Sequence, residues 1–374
     1  MREIVLSGGF REIGRQYGRA CSRQVKLLTK MIQVMAGLSE RPGATFFNPQ
    51  YRYLPLVLGK YFSNRRRYRA EVRPYEATLH IHYPDSLEML TGMAEGARVD
   101  RDDLLFLNAA AEASLHCTAL AAAGKEAAAG APVMAMNADE TRGTERFEVV
   151  LDFRPDSGYR YQVCALAGVL YYNFGMNEKG LTMMGTFLFV RTDPEALAKV
   201  PMLVNFSILN RCATVDEARE LLESLPPNDA GTVMYVGDGE KFLRVEQSAM
   251  GREIEVVEDG LCWSTNFPNT ATLAPFSMLD DLDEPTTLFA RNRTTRLEQF
   301  AEAFRGKFDA DAMHTILSDH GDPADGTHMR SMCMHPKHAA GKQTCASIIA
   351  LPGERRMRIY AANPCRNEAV EYRL

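Results

Sequence analysis

No Cys-x-x-Cys pair occurs in this chain, although it holds eight cysteines, at positions 21, 117, 164, 212, 262, 333, 345 and 365. A zinc ribbon and a thioredoxin-type motif are therefore not indicated. There is no basic excess either: the net charge is −5, so no global field draws in nucleic acid. No apolar run approaches the roughly 18 residues that a membrane span requires. The opening Met1-Arg2-Glu3-Ile4-Val5 lacks the long apolar stretch of a signal peptide, so a cytoplasmic location is the expectation. No internal repeat and no low-complexity linker is visible apart from the Ala-rich Ala121–Ala131 loop, which favours one composite domain over two independent ones. What remains is 46% apolar and 24% charged over 374 residues, the make-up of a globular protein that can bury a sizeable core.

The first 116 residues read mainly as helix. Ile13, Tyr17 and Cys21, then Val25, Leu28, Ile32 and Met35, recur at helical spacing over 11–36. A second helical stretch covers 84–96, and Asp100 can cap a third over 101–112. From Cys117 the texture changes. Runs 117–123, 132–137, 147–154, 160–171 and 180–189 read as strands separated by Gly, Pro and Asp turns. A helical pair at 201–226 carries Thr214 and Glu217 at capping-box spacing. Strands resume at 231–237, 241–248 and 252–265, helices at 285–318, and strands at 344–350, 355–362 and 369–373. This order lacks regular βα alternation. It predicts an α+β architecture of stacked antiparallel sheets with helices on the outer faces.

Within that frame, Leu115-His116-Cys117-Thr118-Ala119-Leu120 places a cysteine at the start of a strand, and Asn137-Ala138-Asp139 returns an acid beside it after a short hairpin. A cysteine that becomes a chain terminus carries its own base, its α-amino group. Asp139 could then hold the terminal ammonium or orient the thiol. By itself the pattern fits a buried cysteine and a turn aspartate better. Asn266, ending the run Trp263-Ser264-Thr265 before Phe267-Pro268, is suited to donate to an oxyanion, or is a turn asparagine before proline. In Arg293-Thr294-Thr295-Arg296 an inward arginine could fix a carboxylate; most of these charges read as a solvated helix face. Gly175 to Leu181 reads as a structural turn. The Arg65–Arg69 cluster reads as surface. His314, His320, His328, His335 and His338 match no standard zinc spacing and read as loop or core residues, so no metal site is expected.

Together these residues resemble the acyl-CoA:6-aminopenicillanate acyltransferase family (isopenicillin N acyltransferase, peptidase family C45) of the N-terminal-nucleophile (Ntn) hydrolases. The likeness runs along nearly the whole chain: Gly9 to Gly18 is similar to the family's G-x-x-x-E-x-G-x-x-x-G helix start, and Met93–Gly96, Leu107-Asn108 and Glu112 resemble the segment before its cleavage site. Cys117-Thr118-Ala119, Asn137-Ala138-Asp139, Gly175–Leu181, Thr265-Asn266, Ser331–His335, Thr344–Ser347 and Asn363–Cys365 follow in the family's order. The sequence departs from the pattern at His116, where glycine is usual, at Glu140, often aromatic, and at Asn292, commonly serine. Related bile salt hydrolases and penicillin V acylases place an asparagine near Phe187.

The resemblance implies a four-layer αββα sandwich (the Ntn-hydrolase fold) with a helical N-terminal segment. It implies self-cleavage between His116 and Cys117 into a 1–116 α chain and a 117–374 catalytic β chain that stay associated as an αβ heterodimer. By position Cys117 is the nucleophile, Asn266 the oxyanion donor, Asp139 a group near the terminal amine and Arg293 a supporting arginine, with Asn137, His116, Glu112 and Thr265 around them. The expected activity is a cysteine amidohydrolase or acyltransferase acting on a linear N-acyl amide or acyl thioester. No cofactor is expected beyond acyl-CoA as a co-substrate, and no nucleic-acid partner. Two other readings stand beside it: an uncleaved enzyme whose internal Cys117 is activated by a distant histidine such as His335, and a non-catalytic binding protein that keeps the scaffold.

Overall fold

The Cys117 hairpin lies inside a six-stranded sheet, one strand from its edge, in the computed structural model, which describes residues 1–36, 72–111, 116–170, 174–191, 204–282, 284–321, 332–335 and 342–374. Strand β2 (His116–Ala123) pairs antiparallel with β3 (Val133–Thr141). β11 (Gly260–Ser264) lies on the other side of β2, and β12 (Lys342–Leu351), β13 (Arg356–Ala361) and β14 (Ala369–Arg373) extend the sheet beyond β3. Side chains alternate along β2 and β3, as the pleat requires. Cys117, Ala119, Ala121, Met134, Met136 and Ala138 enter one buried cluster, and Leu120, Ala122, Val133 and Ala135 enter a second.

The first cluster is the space between two sheets. The second sheet runs β1 (Arg2–Gly8), β4 (Glu148–Pro155), β5 (Tyr161–Leu166), β6 (Phe174–Asn177), β7 (Thr182–Phe187), β8 (Thr232–Gly237), β9 (Phe242–Ser248) and β10 (Gly251–Val257). β7 packs on β2 and β3. Outside it lie α1 (Phe10–Ala20), α6 (Val204–Arg211) and α7 (Val215–Ser224). Outside the six-stranded sheet lies α9 (Ala310–Leu317), and α8 (Glu284–Ala303) shares its cluster through Leu297 and Phe300. The order is helix, sheet, sheet, helix, the expected α+β sandwich. Among the described residues no helix is long and apolar enough to cross a membrane.

The structure corrects the sequence reading at three places. The segment before Cys117 is not all helix: Ile4 and Leu6 are buried and Val5 is exposed, an alternation of period two, and β1 pairs with β4. That pair is parallel, so the larger sheet is not purely antiparallel. The run 252–265 is two strands: β10 edges one sheet and β11 the other, because the chain turns at Glu258-Asp259. Asp259 Oδ1 accepts from the Lys125 amide at 2.7 Å and so pins that turn to the β2–β3 turn.

Four glycines explain the Gly-rich helix start. α1 packs on α4 (Pro84–Ala97), and Gly14 and Gly18 face Gly92 and Gly96. A Cβ on any of them would overlap backbone of the other helix. Glu95 on α4 binds Arg15 Nε at 2.7 Å and also bonds Arg11, and both guanidiniums pull its carboxyl down to about 2. Further along, α2 (Ser22–Ala36), a helix α3 over 72–82 and α5 (Arg101–Ala111) complete the segment. Asp100 Oδ1 caps α5 through the Asp102 amide at 2.9 Å, and Thr214 Oγ1 caps α7 through Glu217 at 3.2 Å.

Candidate active site

Cys117 is fully buried at the start of β2. Its register partner is Ala138, and His116 stands opposite Asp139. Asp139 thus lies inside the partner strand rather than at or beyond its end. The pleat puts its carboxylate on the helix-side face, while the Cys117 thiol points between the sheets.

Asp139 Oδ1 accepts from Thr344 Oγ1 at 2.6 Å, and Thr344 Oγ1 accepts from the Met334 amide at 3.0 Å. Oδ2 is buried with no hydrogen-bond partner among the described residues. Burial raises the carboxyl to about 7, against the pull of the Arg293 charge and the Thr344 bond. Burial, with the charges of Asp139 and Glu140, pushes the Cys117 thiol well above its usual range, although the Asp139 amide and Arg293 act the other way. An internal Cys117 is therefore a neutral thiol at neutral pH.

Arg293 reaches in from α8 and is itself buried. Nη1 donates to the Cys117 carbonyl at 2.8 Å and to Thr118 Oγ1 at 3.0 Å; Nη2 donates to the Thr265 carbonyl at 3.2 Å and to Asn266 Oδ1 at 2.8 Å. One planar fork therefore locks β2 to the loop after β11, which a lysine could not reproduce. Asn266 has φ 77°, a left-handed conformation that asparagine tolerates better than most residues. Its main-chain carbonyl accepts from the Phe189 amide at 2.7 Å, and its Nδ2 donates to the Phe187 carbonyl at 3.0 Å while Oδ1 accepts from Arg293. The amide plane is thus fixed from both ends of the side chain. Asn137 holds the helix-side layer: Nδ2 donates to the Leu317 and Met332 carbonyls, both at 2.9 Å, and Oδ1 accepts from Ser347 at 2.6 Å.

The structure therefore brings Cys117, Asp139, Asn266, Arg293, Asn137 and Thr265 together. For His116 only the backbone is described, and Glu112, the Arg65–Arg69 cluster, His328 and His338 lie outside the described residues. Asn177 is structural, as expected: Nδ2 donates to the Leu209 and Cys212 carbonyls and Oδ1 accepts from Lys179 and Leu181. His314 stacks on Tyr360. His335 Nε2 lies 3.0 Å from His320 Nε2 and near two cysteine sulfurs, so it is engaged in another cluster. Thr118, Thr344, Ser347 and the Phe187 carbonyl are site residues to which the sequence reading gave no role.

The four-layer αββα order, with a buried cysteine opening an interior strand, is that of the Ntn class of cysteine amidohydrolases and acyltransferases. The family model described as "Acyl-coenzyme A:6-aminopenicillanic acid acyl-transferase" matches residues 130–366, well over half of the chain, and the chain belongs to that family. The matched span begins after Cys117 and holds Asp139, Asn266 and Arg293. A search of curated protein sequences returned no match. Among solved structures, an N-acylethanolamine-hydrolyzing acid amidase (NAAA) ortholog of Caenorhabditis elegans is similar, at 16% identity and a TM-score of 0.44, over 63% of this chain and 93% of its own. A mutant of the conjugated bile acid hydrolase from Clostridium perfringens is similar at 14% identity and a TM-score of 0.37, over 69% of this chain and 97% of its own. At those values neither likeness adds to the chemistry.

Proposed function

We propose that the chain cuts itself between His116 and Cys117, and that the freed Cys117 then transfers the acyl group of a linear N-acyl amide or acyl thioester to water or to an amine. The observation that carries this reading is the buried Oδ2 of Asp139, opposite His116 and without a hydrogen-bond partner among the described residues. Cleavage creates an ammonium at position 117, and that is the group such an oxygen lacks. Cutting proceeds by attack of the Cys117 thiol on the His116 carbonyl, which shifts the acyl group from nitrogen to sulfur. Water then hydrolyses the thioester, giving a His116 carboxylate and the Cys117 amine.

The free amine, with a pKa of about 8, takes the thiol proton near neutral pH. The thiolate adds to the substrate carbonyl. Asn266, oriented by Arg293 and the Phe187 carbonyl, donates to the tetrahedral oxyanion. Collapse expels the substrate's amine or thiol, which takes the proton back, and leaves a Cys117 thioester. Water or an acceptor amine releases the acyl group and restores the thiol. The family's name makes acyl-CoA a co-substrate of choice. The two fragments stay associated because β1 remains paired to β4 across the cut, and Asn108 on α5 binds the Gly168 carbonyl at 3.1 Å and the Leu170 amide at 2.8 Å.

Intact-mass analysis of wild type and Cys117→Ala tests the reading. Fragments 1–116 and 117–374 are expected in the wild type alone. A fully active wild type that stays uncut would sink the proposal. Turnover with and without an added amine then separates hydrolase from transferase.

A further inference from the structure

His320, Cys333, His335 and Cys365 converge from three separate stretches of chain. Each offers one ligand atom, and these atoms all lie within 4.8 Å of one another. Four of the six separations are close to the edges of a tetrahedron. His320 Nε2 to His335 Nε2 is 3.0 Å, and Cys333 Sγ to Cys365 Sγ is 3.5 Å. His335 Nε2 lies 3.7 Å from Cys333 Sγ and 3.5 Å from Cys365 Sγ. With Zn–S of about 2.3 Å and Zn–N of about 2.0–2.1 Å, the edges of a tetrahedral site are about 3.8 Å for S–S, 3.4 Å for N–N and 3.6 Å for S–N. Each of these four edges is within about 0.4 Å of its ideal value, and the two from His320 to the sulfurs stay within 4.8 Å.

We propose that these four side chains bind one zinc ion as a closed structural site. The donor set is borderline-soft nitrogen and sulfur, which at four-coordinate geometry selects zinc over the oxygen-loving divalent cations. Binding releases the two thiol protons to solvent, and two thiolates then cancel the charge of Zn²⁺, which suits a site whose Cys333 and His335 are buried. Asn363 Nδ2 donates to Cys333 Sγ at 3.3 Å and so supports a thiolate there. With all four positions filled by protein the ion holds no water, so its work is mechanical.

What it would brace is the back of the active site. Cys333 and His335 flank Met334, whose amide bonds Thr344 Oγ1, the partner of Asp139. The neighbouring Met332 carbonyl accepts from Asn137. His320 follows the end of α9, and Cys365 follows Asn363 beyond β13, whose Nδ2 also donates to the Met334 carbonyl at 2.6 Å. One ion would thus tie three separate stretches of chain together behind Asp139.

The test uses the full chain, purified under reducing conditions, with Zn²⁺ and Co²⁺ as the probes. After gel filtration, about one equivalent of zinc per chain is expected by elemental analysis. The cobalt form is expected to show the intense visible bands of a tetrahedral ion with a thiolate charge-transfer band. Alkylation of the native zinc form, mapped by peptide, is expected to spare Cys333 and Cys365 until a chelator is added. Cys333→Ser/Cys365→Ser should lose the metal, and the uncut Cys117→Ala should keep it, so the result is independent of the proposed cleavage. The wild-type readings stand even if the double variant fails to fold. No retained metal, an octahedral cobalt spectrum, alkylation of Cys333 and Cys365 that zinc does not slow, or a Cys333–Cys365 disulfide in their place would overturn the proposal.

Discussion

Replacing Asp139 by asparagine in the uncut precursor should flatten the pH dependence of folding stability by a predictable amount. The background is Cys117→Ala, which keeps position 117 inside the chain. Burial raises the Asp139 carboxyl from 3.8 to about 7. Between those values the folded chain holds a proton that the unfolded chain has released. The associated stability is therefore fully present below about pH 4 and is lost as the pH rises to about 7. The gap amounts to about 4 kcal/mol, since each pKa unit is worth about 1.4 kcal/mol. Glu148 slopes the same way, because burial lifts its carboxyl from 4.5 to about 7. The informative quantity is thus the difference between Cys117→Ala and Cys117→Ala/Asp139→Asn, in which the Glu148 contribution cancels. Urea unfolding at a series of pH values from about 4 to about 8 measures it. The asparagine variant should lose about 4 kcal/mol less than its parent over that window. Parallel pH profiles for the two proteins would refute the reasoning, because Asp139 would then titrate alike folded and unfolded.

Two further outcomes follow from the site and from the helix pair. Asn266→Asp keeps an oxygen for Arg293 and removes the amide donor, so kcat/KM of the processed enzyme should fall by about 10²–10³, the usual worth of one oxyanion donor; a processed variant of wild-type activity would remove Asn266 from the mechanism. Gly14→Ala forces a methyl into the Met89 carbonyl of α4 and should cost about 1–3 kcal/mol of unfolding free energy, read as a lower urea midpoint. Gly9→Ala, whose added carbon meets only Asp156 Oδ2 at 3.9 Å, is the control that should leave the midpoint unchanged.

Strands β2 and β12 were legible because apolar runs bounded by turn residues mark them, whereas the run read for β3 stopped at 137, short of Asp139. Residues that meet through the register were not legible. Thr344 and Ser347 are three apart, so a regular strand sends them to opposite faces. A bulge at Cys345 restores the phase, pairing Thr344 with Asp139 and Ser347 with Asn137. Nothing local in the sequence announces that extra residue. The parallel β1 was hidden for the opposite reason, since a single short strand within a helical segment has no neighbour in sequence to pair with. Zinc-motif spacing likewise looks along the chain, whereas His320, Cys333, His335 and Cys365 arrive from three separate stretches.

The electrostatics of the uncut chain bear directly on what Cys117 can attack. Its thiol is buried and held well above its usual range, with Asp139 and Glu140 opposing a thiolate. Such a thiol is a poor nucleophile toward any diffusing substrate. The carbonyl of His116 is different, because it is attached one residue away, and proximity can stand in for several orders of magnitude of intrinsic reactivity. A cut would then reverse the local charge balance. The new ammonium faces a carboxyl that titrates near 7 without it, and an adjacent positive charge favours the ionised carboxylate. Asp139 would therefore be held ionised at neutral pH, its Oδ2 would gain a donor, and the amine beside the thiol would become its base. The same buried groups that silence Cys117 inside the chain are those that would activate it at a terminus, so the activity of this site should appear with the cut and not before it.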